Sequence, residues 1–105
     1  MDPERYKNVQ TRRGYTYSYY LANEHATESL LFLHGFPSTS QDWAIQVEYF
    51  SAKGYKIIVP DLLGYGGSSK PADPFEYRIR AIADDVIDIL NAEHIARVTV
   101  IAHDW

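Results

Sequence analysis

Residues 29–37 read Ser29-Leu30-Leu31-Phe32-Leu33-His34-Gly35-Phe36-Pro37. A short, uninterrupted apolar run marks a strand buried on both faces, and so a parallel sheet covered by helices on each side. The run then meets a histidine, a glycine and a proline, which turn the chain rather than extend it. The pattern recurs twice. Residues 55–59 form a second buried strand closed by Pro60-Asp61, and residues 97–102 form a third that feeds into His103-Asp104-Trp105.

Helical segments separate these strands. Residues 38–40 offer N-caps for a helix over 41–53, with Trp43, Val47 and Phe50 as its apolar stripe and Gly54 at the left-handed C-terminal cap. From residue 76 a second helix places Ile79, Ile82, Ala83, Val86, Ile89 and Leu90 on one face. Arg78, Arg80, Asp84, Asp85 and Asp88 are expected on its solvated surface. Upstream, residues 14–22 alternate aromatic and small polar side chains, as a strand near a sheet edge does. Residues 62–74 are rich in glycine and proline and read as an irregular loop. Strands alternating with amphipathic helices predict β-α-β units with right-handed crossovers, an α/β class with a mostly parallel sheet. Ligands of such sheets gather at the carboxyl ends of the strands. There the chain sets three unusual loops: His34-Gly35-Phe36-Pro37, Asp61-Leu62-Leu63-Gly64 and His103-Asp104-Trp105.

With 46% hydrophobic and 23% charged residues the chain is a globular one, and 105 residues allow one small domain or a piece of a larger one. The net charge of −4 and the lack of any basic cluster beyond Arg12-Arg13 argue against a nucleic-acid partner. Without cysteine there is neither a disulfide nor a thiolate metal site. Asp84, Asp85 and Asp88 are scattered by helical spacing, so no metal is expected, nor any cofactor. The run Gly64-Tyr65-Gly66-Gly67-Ser68-Ser69 imitates a dinucleotide fingerprint, but it lacks the third glycine, and Pro71 and Pro74 interrupt the helix that should follow. A tight loop below the rim is expected instead. Met1-Asp2-Pro3-Glu4 does not look like a signal peptide, and Leu30 to Leu33 is too short to span a bilayer, so a soluble, cytoplasmic protein is expected.

His34-Gly35-Phe36-Pro37, Trp43 nine residues after His34, the run from Asp61 to Pro71, and Ala102-His103-Asp104-Trp105 together resemble the α/β-hydrolase fold family, and within it the epoxide hydrolases. The resemblance spans the chain from about Tyr6 onward. It implies that residues 1–105 are the N-terminal portion of a single α/β-hydrolase domain, with the cap domain and C-terminal part absent. It also implies a nucleophile elbow carrying Asp104, and an oxyanion hole built from the backbone N–H groups of Phe36 and Trp105. His34, Gly35, Pro37 and His103 are supporting members of the motifs, and Phe36-Pro37 is expected to be cis. Phe36 and Trp105 would wall a small-molecule epoxide. The family's water-activating histidine, its acid partner and the cap tyrosines would lie downstream; His25, His34, His94 and His103 do not match that histidine. The short chain alone is therefore expected to be inactive.

An aspartate at this position carries chemical information. A serine that attacked the saturated carbon of an epoxide would form an ether, which water does not cleave. A carboxylate attacking the same carbon forms an alkyl ester that water can hydrolyse at its carbonyl. An aspartate is ionised at neutral pH, its reference pKa being about 3.9, so no base is needed to create the nucleophile. The nearest alternative is a haloalkane dehalogenase, many of which carry Asn where this chain has Phe36; fluoroacetate dehalogenases usually place Arg where it has Trp105. A further alternative is a truncated, non-catalytic product. In that form Val98 to Ala102 would be an exposed apolar edge prone to aggregation.

Overall fold

The computed structural model describes residues 1–103. Five strands form one sheet: β1 (Tyr6–Gln10), β2 (Thr16–Ala22), β3 (Ser29–Leu33), β4 (Lys56–Pro60) and β5 (Thr99–Ala102), in the order β1-β2-β4-β3-β5. The first two pairings, β1 with β2 and β2 with β4, are antiparallel, whereas β3 runs parallel to both β4 and β5. Helix α1 (Ala44–Ala52) joins β3 to β4, and α2 (Ile79–Ala92) joins β4 to β5. None of the described helices is long and apolar enough to cross a membrane.

Period-two alternation divides the sheet's side chains between two cores. Tyr17, Tyr19, Leu21, Leu31 and Ile58 face α2 with its Ile82, Val86 and Ile89. Their strand neighbours Tyr20, Ala22, Leu30, Phe32, Ile57 and Val59 face the other side, around Val47 of α1. This accounts for the continuous apolar runs expected over 29–33 and 55–59. Phe50 and Trp43 join the second core, Trp43 stacking at a tilt on Phe32 with ring centres 5.1 Å apart. The helix expected over 41–53 starts as a 3-10 turn, Ser40–Trp43, capped by Thr39 with Asp42 reaching back in a capping box. Gly54 closes α1 at φ +88°, as its place predicts.

The structure departs from these expectations in four places. Tyr6–Gln10 forms an edge strand without a sequence signal, because only Tyr6 and Val9 are even partly buried. Asp85 is not on a solvated surface: it stands three residues after Ile82 and four before Ile89, on the buried face, and is fully inaccessible. Ile79 and Ala83, expected in the core, are exposed, Ile79 by 76%. Both line an apolar groove of about 440 Å³ shared with Leu33, Val98 and Val100, where α2's apolar face is wider than the described sheet beneath it. β5, expected to be buried on both faces, instead stands at the edge of the described sheet with Val100 half exposed.

Asp85 is paired and hydrogen-bonded within the fold. Tyr17 Oη donates to it at 2.7 Å, and Arg13 donates through Nε at 3.1 Å and Nη2 at 2.6 Å. Burial, reinforced by Asp85, pushes the Tyr17 phenol well above its ordinary value. Below the sheet's other end, Glu93 accepts from Lys7 Nζ at 2.8 Å and from the Tyr19 hydroxyl. Burial works to raise the Glu93 carboxyl, but these donors outweigh it and hold it below the ordinary 4.5.

Removing one partner of a buried ion pair costs about 3–5 kcal/mol, whereas an exposed pair is worth about 0–1 kcal/mol. Asp85→Ala should therefore lower the stability measured by chemical denaturation by about 3 kcal/mol. Asp88→Ala, which loses only the exposed Arg12, should lower it by no more than about 1 kcal/mol; equal losses would refute the distinction. A carboxyl with a depressed pKa stabilises above its unfolded value and loses that contribution as pH falls through the folded one. Glu93→Gln should therefore flatten the stability loss seen below pH 4.5 while changing its slope little above that point.

Candidate functional site

Parallel strands leave their carboxyl ends on one rim, and here the rim collects the three loops singled out by the sequence. The chain leaves β3 toward β4 over one face of the sheet and reaches β5, on β3's other side, over the opposite face. The rim at β3 and β5 is thus a reversal point of strand order, where ligands of open α/β sheets bind. Leu33 pairs with Ala102, and the His103 amide donates to Leu33 O at 3.1 Å, extending the ladder by one residue. The start of the 34–37 loop and the end of β5 are therefore side by side, a strand spacing of about 4.8 Å apart.

His34 is almost wholly buried, at 1% exposure. Its Nε2 accepts the Leu62 N–H at 2.9 Å, so Nδ1 carries the hydrogen and donates it to Gly35 O, also at 2.9 Å. In a trans peptide the carbonyl and the following N–H point in opposite directions. Turning Gly35 O toward His34 consequently aims the Phe36 N–H away from it. His34 is a structural hydrogen-bonding residue of this loop, which fits its place as a supporting member of the motif. The Phe36-Pro37 bond is cis, again as expected. Gly35 is buried, Pro37 is exposed, and the Phe36 ring is 71% exposed, resting edge-on against Tyr65 at 6.4 Å. Tyr65 in turn meets the His34 ring edge-on at 5.1 Å.

A cleft of about 370 Å³ opens beside this loop, lined by His34, Gly35, Ser38, Asp42, Trp43, Gln46 and His103. The His103 side chain is exposed there. Trp43 belongs to the core by its stacking, yet its edge reaches this cleft, and its Nε1 finds no partner among the described residues. His25 and His94 are exposed, in a turn and just past α2 respectively. Asp104 and Trp105 lie outside the described residues, so their expected roles are not tested by this geometry.

The residue that sequence reasoning treated only as part of a rim loop is Asp61. Buried to 6% exposure, its carboxylate accepts the Ser40 N–H at 2.8 Å and the Gly67 N–H at 3.1 Å. Its own amide donates to Ser18 O at 2.8 Å, and its carbonyl accepts the Ser68 hydroxyl at 2.5 Å. The glycine-rich stretch closes on itself, Gly64 N–H donating to Ser69 O at 2.8 Å and Ser68 N–H to Tyr65 O at 3.0 Å. It is the tight loop that was expected. The available signal was an aspartate directly after a buried strand with Gly66-Gly67 following, since a carboxylate there needs close backbone donors.

Gly66 has φ +52°, and a Cβ on it would stand 2.3 Å from Asp61 Oδ2, a carboxylate that cannot swing aside. Gly54 also has positive φ but faces open space. Gly54→Ala should cost about 1–2 kcal/mol from its backbone conformation alone. Gly66→Ala should cost about 1–3 kcal/mol more from the clash; denaturation of the two variants side by side reads the difference.

The model of the alpha/beta hydrolase fold family matches residues 28–105. An epoxide hydrolase of Caballeronia sordidicola is 39% identical over 88 residues, covering 84% of this chain and 27% of that protein. "Epoxide hydrolase 3" of Siraitia grosvenorii is 41% identical over 76 residues, 72% of this chain and 24% of its own. Among solved structures, epoxide hydrolase A of Mycobacterium thermoresistibile superposes with a TM-score of 0.88 at 30% identity, over 95% of this chain and 31% of that one. The chain thus spans about a quarter of the length of the curated relatives it matches.

Proposed function

The chain belongs to the α/β-hydrolase fold family, and on that footing we propose that residues 1–105 are the N-terminal portion of an epoxide hydrolase-like enzyme that opens a small epoxide to a vicinal diol. The observation that carries this reading is the parallel pairing of β3 with β5, which brings the Phe36 loop beside the residues leading into Asp104.

In this reading the Asp104 carboxylate attacks a saturated carbon of the epoxide, the carbon–oxygen bond of the ring breaks, and the ring oxygen leaves as an alkoxide that takes up a proton. Water then adds to the carbonyl carbon of the resulting ester. The negative charge that develops on the carbonyl oxygen is met by the backbone N–H groups of Phe36 and Trp105, and the diol departs with the oxygen that Asp104 contributed. A donor of this kind contributes about 10²–10³ in kcat in the systems where one has been removed. His34 and Gly35 orient the Phe36 amide through the bonded Gly35 carbonyl. The exposed ring of Phe36, together with the Trp105 side chain, would serve as an apolar wall for the substrate. The epoxide hydrolase relatives support this substrate class. Phe36, where many haloalkane dehalogenases carry Asn, favours it over halide displacement.

The reaction leaves an isotopic record. In a single turnover of the complete polypeptide carrying this chain in heavy-oxygen water, the label should enter the Asp104 carboxyl group rather than the diol, as read by peptide mass spectrometry. Asp104→Ala should abolish turnover of a simple aryl epoxide, and a polypeptide limited to residues 1–105 should form no diol. Label found directly in the diol, with Asp104 unlabelled, would rule out the ester route.

A further inference from the structure

The segment carrying the Phe36 amide is fastened at its two ends to two consecutive residues. At its start, the His34 ring is bonded to the Leu62 N–H at 2.9 Å. At its end, the Ser40 N–H is bonded to Asp61 Oδ1 at 2.8 Å. Asp61 is itself fixed from further sides: through its amide to β2 at Ser18, and through Oδ2 and its carbonyl to Gly67 and Ser68. Both carboxylate oxygens take backbone N–H groups, which is a strong, directional arrangement for a buried carboxylate. A second contact braces the same point, since the Ser40 hydroxyl lies 2.7 Å from Tyr6 Oη of the edge strand.

We propose that Asp61 is a positioning residue for the reaction: through Ser40 it sets where the Phe36 N–H stands, and thereby governs hydrolysis of the ester more than its formation. The inference rests on the reading of Phe36 as an oxyanion donor. Alkylation places its developing charge on the epoxide oxygen, away from the ester carbonyl. Hydrolysis places it on the carbonyl oxygen, where the Phe36 N–H must already point, because a donor helps only if it is preorganised. The five residues between His34 and Ser40 include an exposed aromatic and an exposed proline, so the two fastened ends carry the segment's order.

The backbone at Ser40 allows a selective test. Ser40 is the first residue of its 3-10 turn, where proline's fixed φ is well suited, and Thr39 before it is extended at φ −141°, ψ 178°. Ser40→Pro therefore deletes the N–H given to Asp61 with little demand on the backbone. Ser40→Ala keeps that N–H and measures what the hydroxyl contributes by itself. Both are compared with Asp61→Asn in the complete polypeptide carrying residues 1–105, using a simple aryl epoxide with rapid quench and mass detection of the Asp104 ester. Ser40→Pro and Asp61→Asn should slow ester hydrolysis at least tenfold relative to alkylation, so that ester accumulates; Ser40→Ala should not. Backbone relaxation should show Gly35, Phe36 and Ser38 losing order in those two variants, from order parameters of about 0.85 to below about 0.6, with β3 and β4 unchanged. A loss of folded protein alone would lower both steps together and leave the ester fraction at the parental level, which overturns the proposal. Retained order at residues 35–38 overturns it as well. Should the parent form no ester, the epoxide reading fails by itself, and the relaxation result still decides whether Asp61 positions the loop.

Discussion

Everything in this fold follows from β3 being covered on both sides. Leu30 and Phe32 point into one core and Leu31 into the other, so neither face of the strand tolerates water. Helices must cover both faces, and the chain can supply them only as crossovers between parallel strands. With β4 on one side of β3 and β5 on the other, the two crossovers take opposite faces. Loops leaving the carboxyl ends of β3 and β5 then share a rim without competing for one face. The rim exists because of the core beneath it, and not the reverse.

The polar groups that fasten the layers are few and deeply placed. Asp85 ties α2 to β2 through Tyr17 and to the turn before it through Arg13. Glu93, at the end of α2, ties that helix to β1 and β2 through Lys7 and Tyr19. Asp61 ties β4 to β2, to the loop after β3 and to the glycine-rich turn. A buried carboxylate is destabilising unless its lone pairs are filled, so each of these residues demands a fixed geometry of its donors. That demand explains the company they keep. Gly66 has room for no side chain beside Asp61, and tyrosines of β2 carry their hydroxyls to Asp85 and Glu93 across the core. The abundance of tyrosine in residues 15–20 is thus partly packing and partly hydrogen bonding, which composition alone does not separate.

The elements buried on both faces were legible in the sequence, since uninterrupted apolar runs such as 29–33 admit few other readings. Helix α2 was legible by its period, and Gly54 by the left-handed cap it forms. Tyr6–Gln10 was not legible, because an edge strand whose exposed positions carry Lys7, Asn8 and Gln10 has no apolar alternation to find. Asp85 was misread for the opposite reason: it sits at an apolar spacing, but its charge suggests solvent until Arg13 and Tyr17 are seen to fold over it. Those partners are 72 and 68 residues distant along the chain, beyond any local pattern. At the rim, His34, Gly35, Phe36 and Pro37 stood out as a motif, whereas Asp61 did not. A motif shows which residues are unusual. It does not show which of them carries the hydrogen bonds that fix the others.

The exposure of Phe36 bears on how much such a rim can do by itself. A backbone N–H aimed at a developing charge is worth far more in a water-poor site than in bulk solvent, because the effective dielectric sets the strength of the interaction. Among the described residues, the underside of the Phe36 loop is sealed by His34, Tyr65 and the Asp61 network, while its upper side faces solvent. The scaffold therefore supplies orientation from below. Desolvation from above requires a further apolar surface laid over Phe36. In the proposed reaction, position and dielectric are thus separate contributions to one electrostatic effect, and the described residues would provide the first.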